Sequence, residues 1–226
     1  TYPLGIIICD DLHIITVSLK EFDYLKEFEE GKVKTFYTYK KSRFLIQILL
    51  KTASAYLKVL NVVNEDIRKK EKILYNSTNN KHLVELLDIE KTLVYFITSL
   101  KANDVVLEKL SKGNVIMMYD EDVELLDDTM IENRQGIEMC TIYKEILSSI
   151  TDTYATIVSN NLNGVMKFLA GATIVLAIPT MISSFLGMNI SLGDFAKNDY
   201  AFVAICIFSF MLVLFVAYLL KTKDMN

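Results

Sequence analysis

Residues 168–189 read FLAGATIVLAIPTMISSFLGMN, and this stretch decides the fold because it contains no charged side chain. The charge-free run continues to residue 193, and a second one covers residues 200–220. A helix needs about 20 apolar residues to cross a hydrocarbon core of about 30 Å. We therefore predict transmembrane helices at 164–189 and 200–220, joined by an extracytoplasmic loop at 190–199.

The distribution of lysines predicts which side of the membrane each segment faces. Lys167, Lys221 and Lys223 lie at one end of the two helices, whereas the loop carries Lys197. Cytoplasmic flanks of membrane helices are enriched in lysine and arginine. We therefore expect a multi-pass protein of the plasma or inner membrane with both termini in the cytoplasm. Residues 221–226 would form a basic tail containing Lys221 and Lys223.

Before the membrane, one long amphipathic helix is predicted from residue 120 onward. A helix from 120 to 186 would measure roughly 100 Å at 1.5 Å per residue, and it needs partners to be stable. We expect residues 116–163 to form a stalk that continues into the first membrane helix. The apolar stripe predicted to face its partners comprises Val123, Leu126, Met130, Ile137, Cys140, Leu147, Tyr154 and Val158.

The remaining N-terminal region, residues 1–115, predicts an α+β fold. Runs of β-branched residues at 4–9 and 12–18 indicate a hairpin, which we expect to be the edge of a larger mixed sheet with further strands upstream of Thr1. Helical periodicity at 39–75 and 81–110 predicts two long helices packed as an antiparallel pair. This region would be the C-terminal part of a cytoplasmic α/β domain.

Composition argues against two classes of protein. The net charge of −4 disfavours a nucleic-acid partner, because phosphate binding needs a basic surface. The two histidines are isolated from any plausible nucleophile, and no phosphate-binding loop is present, so we expect neither an enzyme nor an organic cofactor. Three widely spaced cysteines indicate a reducing compartment rather than a disulfide framework.

One face of the first membrane helix carries small and neutral polar residues. Two explanations remain open: close packing between helices, or the lining of a water-filled pore. The opposite face carries large apolar side chains. The residues on the small face are Asn163, Met166, Ala170, Thr173, Ala177, Thr180 and Ser184.

Gly187-Met188-Asn189, at the outer end of this helix, resembles the Gly-Met-Asn signature of the CorA family of magnesium and divalent metal ion channels. The entry into the helix at 159–169, Pro179-Thr180 within it and the closely following second helix fit the same pattern. The resemblance implies a homopentamer in the lipid bilayer, with the first membrane helices around the pore. It also implies Mg²⁺ as the transported and regulatory ion, entering down the membrane potential.

Carried over position by position, the resemblance assigns the selectivity filter to Gly187, Met188 and Asn189. The Asn189 carboxamides would hydrogen-bond the water shell of the ion, Gly187 would permit close approach or a sharp turn, and Met188 would pack. Rings of Met166 and Leu169 are candidates for an apolar gate, with ordinary helix packing as the alternative role. The resemblance implies this pore lining: Asn163, Met166, Leu169, Thr173, Ala177, Thr180 and Ser184.

Carboxylates on the stalk have two possible roles. Asp152 matches a family acidic ring at the cytoplasmic mouth, although a solvated side chain is equally consistent with the sequence. Residues 120–128 carry six acidic residues, for which an ordinary solvated face is the simpler interpretation. By resemblance, Asp128, with Asp127 beside it, would bind intracellular metal between subunits and hold the channel closed.

Departures from the family pattern leave the ion open. Leu186 stands where an aromatic residue is common, and Ala177 replaces a bulkier side chain. A zinc- or cobalt-transporting member of the superfamily is one alternative, and a non-conducting membrane-anchored scaffold or sensor is another.

Overall fold

The computed structural model describes residues 1–9, 13–76, 81–112, 116–188 and 200–224. It is mostly helical with a small sheet, and it divides into two compact units, Thr1–Tyr154 and Ala155–Asn226. The loop predicted at 190–199 and Asn189 lie outside the described residues. The domain boundaries predicted at 115, 163 and 189 stay predictions.

The first unit begins with the predicted hairpin. Strands β1 (Leu4–Ile8) and β2 (Ile14–Ser18) pair antiparallel, with Gly5 opposite Val17. Among the described residues the sheet has these two strands, so they do not themselves form the mixed sheet expected from the sequence. Helix α1 (Asp23–Glu29) follows and was not predicted, since seven residues are too few to establish a helical period.

Two long helices come next, as the periodicity predicts. They are α2 (Lys41–Asn76) and α3 (Lys81–Lys112). Lys70 Nζ lies 2.6 Å from Glu85 Oε2 near the connection, and the rings of Tyr56 and Phe96 meet edge to face farther along, 5.2 Å between centroids. The first contact joins the end of α2 to the beginning of α3, and the second joins the middles of the two helices. The helices therefore form an antiparallel hairpin.

The predicted long helix is confirmed as α4 (Asp120–Leu186), which continues through Pro179. The final helix, α5 (Ala201–Asp224), extends past the predicted end at residue 220 and includes Lys221 and the backbone of Lys223. The predicted basic tail therefore begins as helix. Within the described residues, three segments are long and apolar enough to cross a membrane by length and composition: Lys41–Leu74, and those in α4 and α5.

The core of the first unit follows seven-residue repeats, the spacing that keeps one seam of each helix facing its neighbours. On α2 and α3 each seam is one buried residue per heptad, and on α4 the spacing alternates between four and three. The buried seam residues are Ile46, Ala53, Leu60, Ile67 and Leu74 on α2; Leu86, Leu93, Leu100 and Leu107 on α3; and Asp122, Leu126, Thr129, Asn133, Gly136, Cys140, Tyr143, Leu147, Ile150 and Tyr154 on α4.

The middle of the predicted apolar stripe on α4 is confirmed within the single chain, where Leu126, Cys140, Leu147 and Tyr154 are buried. Val123 and Val158 are each 47% exposed. The seam at the beginning of α4 is occupied instead by Asp122, Thr129 and Asn133, all of which are almost fully buried. A search for apolar periodicity alone cannot find these positions, because their side chains are polar.

Candidate functional site

The predicted pore-lining side chains lie on the surface of the second unit and its helix α4. Met166 is 57% exposed and Leu169 is 58% exposed. The same exposed class includes Asn163, Thr173, Ala177, Thr180 and Ser184. In the single chain, none of these described side chains is covered by the rest of its unit.

Helix α5 packs on the other side of α4. Ile178 is buried, and Ile182 and Leu186 are half-buried. A Cβ atom added to Gly171 would lie 3.7 Å from Leu220 Cδ1. An apolar cavity of about 470 Å³ between the helices is lined by Ile182, Phe185, Leu186, Ala204, Ile205 and Phe208.

Helical geometry places these two faces on opposite sides of α4. Successive side chains turn by about 100°, so Ile178 and Ile182 lie roughly 140° and 180° away from Thr173. The small face therefore does not serve to pack α4 against α5. This observation removes the simplest form of the packing explanation, in which the small residues seat the second helix of the same chain.

The hydroxyl groups on the small face are oriented by their own helix. Thr173 Oγ1 donates to the Leu169 carbonyl at 2.8 Å, and Thr180 Oγ1 donates to the Leu176 carbonyl at 3.0 Å. A hydroxyl group has one hydrogen and two lone pairs, so each oxygen still has acceptor capacity. A hydrated cation presents water hydrogens outward, and such acceptors suit it.

Helix α4 ends at its outer side without a glycine in the left-handed (positive φ) conformation. The Gly187 amide donates to the Ser183 carbonyl at 2.9 Å, and among the described glycines a positive φ occurs at Gly31. A Cβ added to Gly187 would lie 3.4 Å from the Ser183 oxygen. Gly187 lies in a turn directly after the last residue of α4, and the two roles expected for it, close approach and a sharp turn, stay predictions. Met188 is 53% exposed.

The predicted carboxylate sites are all on exposed positions of α4. Asp127, Asp128 and Asp152 lie in the first unit, and all three are exposed. In the part of the chain that the structure describes, no group of three or more His, Cys, Asp or Glu side chains converges as a metal site. A regulatory metal site at Asp127 and Asp128 would thus need ligands from elsewhere.

One member of the acidic run has a structural role, which corrects its interpretation as a solvated face. Asp122 is 1% exposed, and its Oδ2 accepts hydrogen bonds from Ser42 Oγ at 3.0 Å and from the Tyr119 amide at 3.3 Å. Arg43 Nη1 lies 2.8 Å from Glu121 Oε2 and 3.6 Å from Asp122 Oδ1. The bond from the Tyr119 amide to Asp122 corresponds to one half of a capping box, but Tyr119 lacks the short polar side chain by which that motif is recognised in a sequence.

The second unit contains two exposed helical segments, in α4 and α5, that are long and apolar enough to cross a membrane, as in α-helical membrane proteins. The family model for CorA-like Mg²⁺ transporter proteins matches residues 3–222. The chain belongs to this family, which is membrane-embedded, and the resemblance of the Gly-Met-Asn motif is thereby confirmed.

Individual relatives agree with this assignment. The cobalt/magnesium transport protein CorA of Methanocaldococcus jannaschii is 28% identical over 177 residues, covering 78% of this chain and 56% of that protein. The chain therefore spans little more than half the length of this curated relative.

Solved structures show the same fold. The complete structure of the CorA magnesium transporter from Methanocaldococcus jannaschii matches with a TM-score of 0.84 and 25% identity, over 95% of this chain and 69% of that one. The full-length CmaX protein matches with a TM-score of 0.68 over 90% of this chain and 64% of that one. At 12% identity, this second match supports the fold alone.

Proposed function

We propose that copies of this chain form a homopentameric channel for divalent cations, with Mg²⁺ as the main ion and α4 lining the pore. Family membership supports transport, and the name of the curated relative supports Mg²⁺ and Co²⁺ as ions to test. The observation that carries the proposal is the small, hydroxyl-bearing face of α4, which α5 leaves uncovered.

The proposed topology has two membrane helices, the C-terminal half of α4 and α5, with both termini in the cytoplasm. Segment Lys41–Leu74 of α2 also satisfies the length and composition criteria, but its seam is buried against α3 and α4. Its Lys51 pairs with Glu27 Oε2 at 2.5 Å. These contacts favour a place in the cytoplasmic unit.

The proposed mechanism uses hydration and the membrane potential. Mg²⁺ loses water reluctantly, so carboxamides of Asn189 would bind its water shell rather than the bare ion. Thr173, Thr180 and Ser184 would continue that acceptor surface along the pore. An inward-negative potential supplies about 4.6 kcal/mol per 100 mV for a dication, twice the value for a single charge. Met166 and Leu169 would provide the apolar constriction that closes the path by dewetting.

Neighbouring serines offer a matched test in liposomes with an inward-negative potential. Ser184 lies on the proposed pore face, and Ser183 lies about 100° away on the same exposed helix. We expect Ser184→Leu to reduce Mg²⁺ uptake at least tenfold and Ser183→Leu to leave it near wild type. Asn189→Ala should reduce discrimination between Mg²⁺ and other dications.

Equal uptake by the two serine variants would exclude this face as the pore lining. An unchanged ion preference in Asn189→Ala would remove the filter assignment. No uptake by the wild type, together with an intact pentamer, would favour the scaffold alternative.

A further inference from the structure

The apolar seam between α3 and α4 does not by itself fix how far along α3 the helix α4 lies. The α3 seam repeats Leu86, Leu93, Leu100 and Leu107, so a displaced α4 would still meet leucines. Packed helices can move past one another by one turn, about 5.4 Å. A contact other than leucine packing must therefore determine the register, that is, the position of α4 along α3.

Asn133 contacts the same α3 residue, Leu100, that is also contacted from Gly136 in the observed register. It is 1% exposed, and its Nδ2 donates to the backbone carbonyl of Leu100 at 3.0 Å. Displacement of α4 by one turn would remove this partner from a buried amide. Leaving a buried donor unsatisfied is costly, and a single buried asparagine in a helical seam is a known means of fixing register.

Gly136, one turn farther along the seam, fits the same leucine sterically. A Cβ atom built on Gly136 would lie 3.1 Å from Leu100 Cδ1. A shifted register would place a residue with a side chain, such as Asn133 or Cys140, at this position. The hydrogen bond and the steric fit therefore select the same alignment of α4 on Leu100.

We propose that Asn133, assisted by Gly136, is a positioning residue that holds α4 in a single register against α3. Its consequence for ion flow rests on the proposed function, because the pore-facing residues belong to the same helix α4. The buried amide stabilises the folded protein less than an apolar residue would, but it favours one alignment of α4 against α3. An apolar substitute would retain the bundle while permitting a second alignment.

The register is measured as a distance between spin labels on the two helices. Val105 on α3 and Ile131 on α4 are 54% and 64% exposed and would be changed to cysteine. The background would be Cys9→Ser, Cys140→Ala and Cys206→Ser, and labelled subunits would be diluted with unlabelled full-length chain. We expect one distance with Asn133 present and a second, distinct distance in Asn133→Leu, because α4 would then also occupy an alignment displaced by one turn, about 5.4 Å, along α3.

Thr129→Val is the matched control. Thr129 is a fully buried polar residue of the same seam, but its Oγ1 donates to Leu125 O within its own helix at 2.7 Å. The control should keep a single distance. Asn133→Leu should melt at or above the wild-type temperature, because an apolar residue replaces a buried amide. Should Asn133→Leu not fold, Asn133→Ser removes the long amide, and its hydroxyl can bond within its own helix.

A single unshifted distance in folded Asn133→Leu or Asn133→Ser overturns the proposal, as does a second distance in Thr129→Val. Mg²⁺ uptake by the same variants is a separate readout. An altered gating response in Asn133→Leu but not in Thr129→Val would link register to the channel. Absence of uptake by the wild type would contradict the proposed function and leave the distance result valid.

Discussion

At the scale of single residues, ion pairs between side chains outside the buried seam also connect the helices of the first unit. The Lys70–Glu85 pair links α2 and α3 near their connection, at 2.6 Å between Nζ and Oε2. The hydrogen bond from Lys70 lowers the pKa of Glu85 below its ordinary value of 4.5. The reciprocal hydrogen bond raises the pKa of Lys70 above its ordinary value of 10.5. Each shift makes stability depend on pH in a defined direction.

The pH prediction concerns Glu85→Gln. A carboxylate whose pKa is lowered on folding stabilises the protein above its unfolded pKa, and this contribution is lost as pH falls through the folded pKa. On the alkaline side, the contribution of Lys70 is present below its unfolded pKa and is lost as pH rises through the folded one. We expect Glu85→Gln to lower the melting temperature at neutral pH and to lose less stability than wild type on acidification below the ordinary carboxyl pKa.

The control for this experiment is Glu90→Gln, which changes a carboxylate on the same helix outside the Lys70–Glu85 pair. The measurement is thermal unfolding of wild type, Glu85→Gln and Glu90→Gln, each at neutral pH and at a pH below the ordinary carboxyl pKa. The same acid-induced loss in wild type and Glu85→Gln would contradict the prediction.

Residues of the candidate site differ in how far the sequence could specify them. The Gly187-Met188-Asn189 motif located the outer end of the helix, since Gly187 follows directly after the last residue of α4. Helical periodicity alone also separated the small face from the α5 face. Asp122 and Asn133 were not singled out as buried, because burial of a polar side chain depends on partners in distant segments, here Ser42 and Leu100.

At the scale of whole elements, the heptad seam of α3 contributes buried leucines to both apolar clusters of the first unit. Leu93 is fully buried and its neighbour Val94 is 44% exposed. Truncating a buried leucine to alanine costs about 2–5 kcal/mol, because it removes burial and leaves a cavity. We expect Leu93→Ala to lose that amount in the free energy of unfolding and Val94→Ala to lose no more than about 0.5–1 kcal/mol.

Urea unfolding followed by circular dichroism, with emphasis on the first unit, measures this difference. Similar losses in Leu93→Ala and Val94→Ala would show that the seam is not the stabilising face of α3. A larger loss at Val94 would indicate that the exposed side of α3 is covered in the assembled protein.

Element boundaries were predictable where strong local signals exist. Helix α4 begins at the expected Asp120 and ends at Leu186, three residues before the predicted end of the first membrane helix at 189, and α3 extends two residues past the expected end at 110. The short α1 was missed, and the polar residues Asp122, Thr129 and Asn133 were not expected in the seam of α4. These failures share a cause: apolar periodicity is informative over several turns and loses its meaning in short helices or where polar residues enter a seam.

At the scale of the whole molecule, the proposed assembly explains why so much apolar surface remains exposed in one chain. Phe168 and Phe202 are 76% and 75% exposed, which suits lipid contact. The small face of α4 is also uncovered, and its hydroxyl oxygens have acceptor capacity that water would use and lipid would not. Copies gathered around water would satisfy both surfaces at once, with the phenylalanines outward and the hydroxyls inward.

The proposed regulatory metal site belongs to this scale because one chain does not complete it. Asp128 is exposed on α4, and no cluster of three ligands forms among the described residues of a single chain. Divalent cations prefer several oxygen ligands, so a bound ion at Asp128 would recruit oxygens from a neighbouring subunit and offset the repulsion between carboxylates. Loss of the ion would then weaken the contact between subunits and favour opening.

Asp128→Ala should therefore raise Mg²⁺ current at high internal Mg²⁺, where the proposed site would hold the wild-type channel closed. Patch recordings with internal Mg²⁺ varied on the cytoplasmic side measure the effect, and we expect at least a tenfold higher concentration for half-inhibition. Asp88→Ala is the control, since Asp88 is an exposed carboxylate on α3 that pairs with Lys91 at 3.0 Å. Because charge removal alone would affect both variants through general electrostatics, a rise confined to Asp128→Ala indicates a metal site. Unchanged inhibition in Asp128→Ala would place feedback elsewhere in the protein.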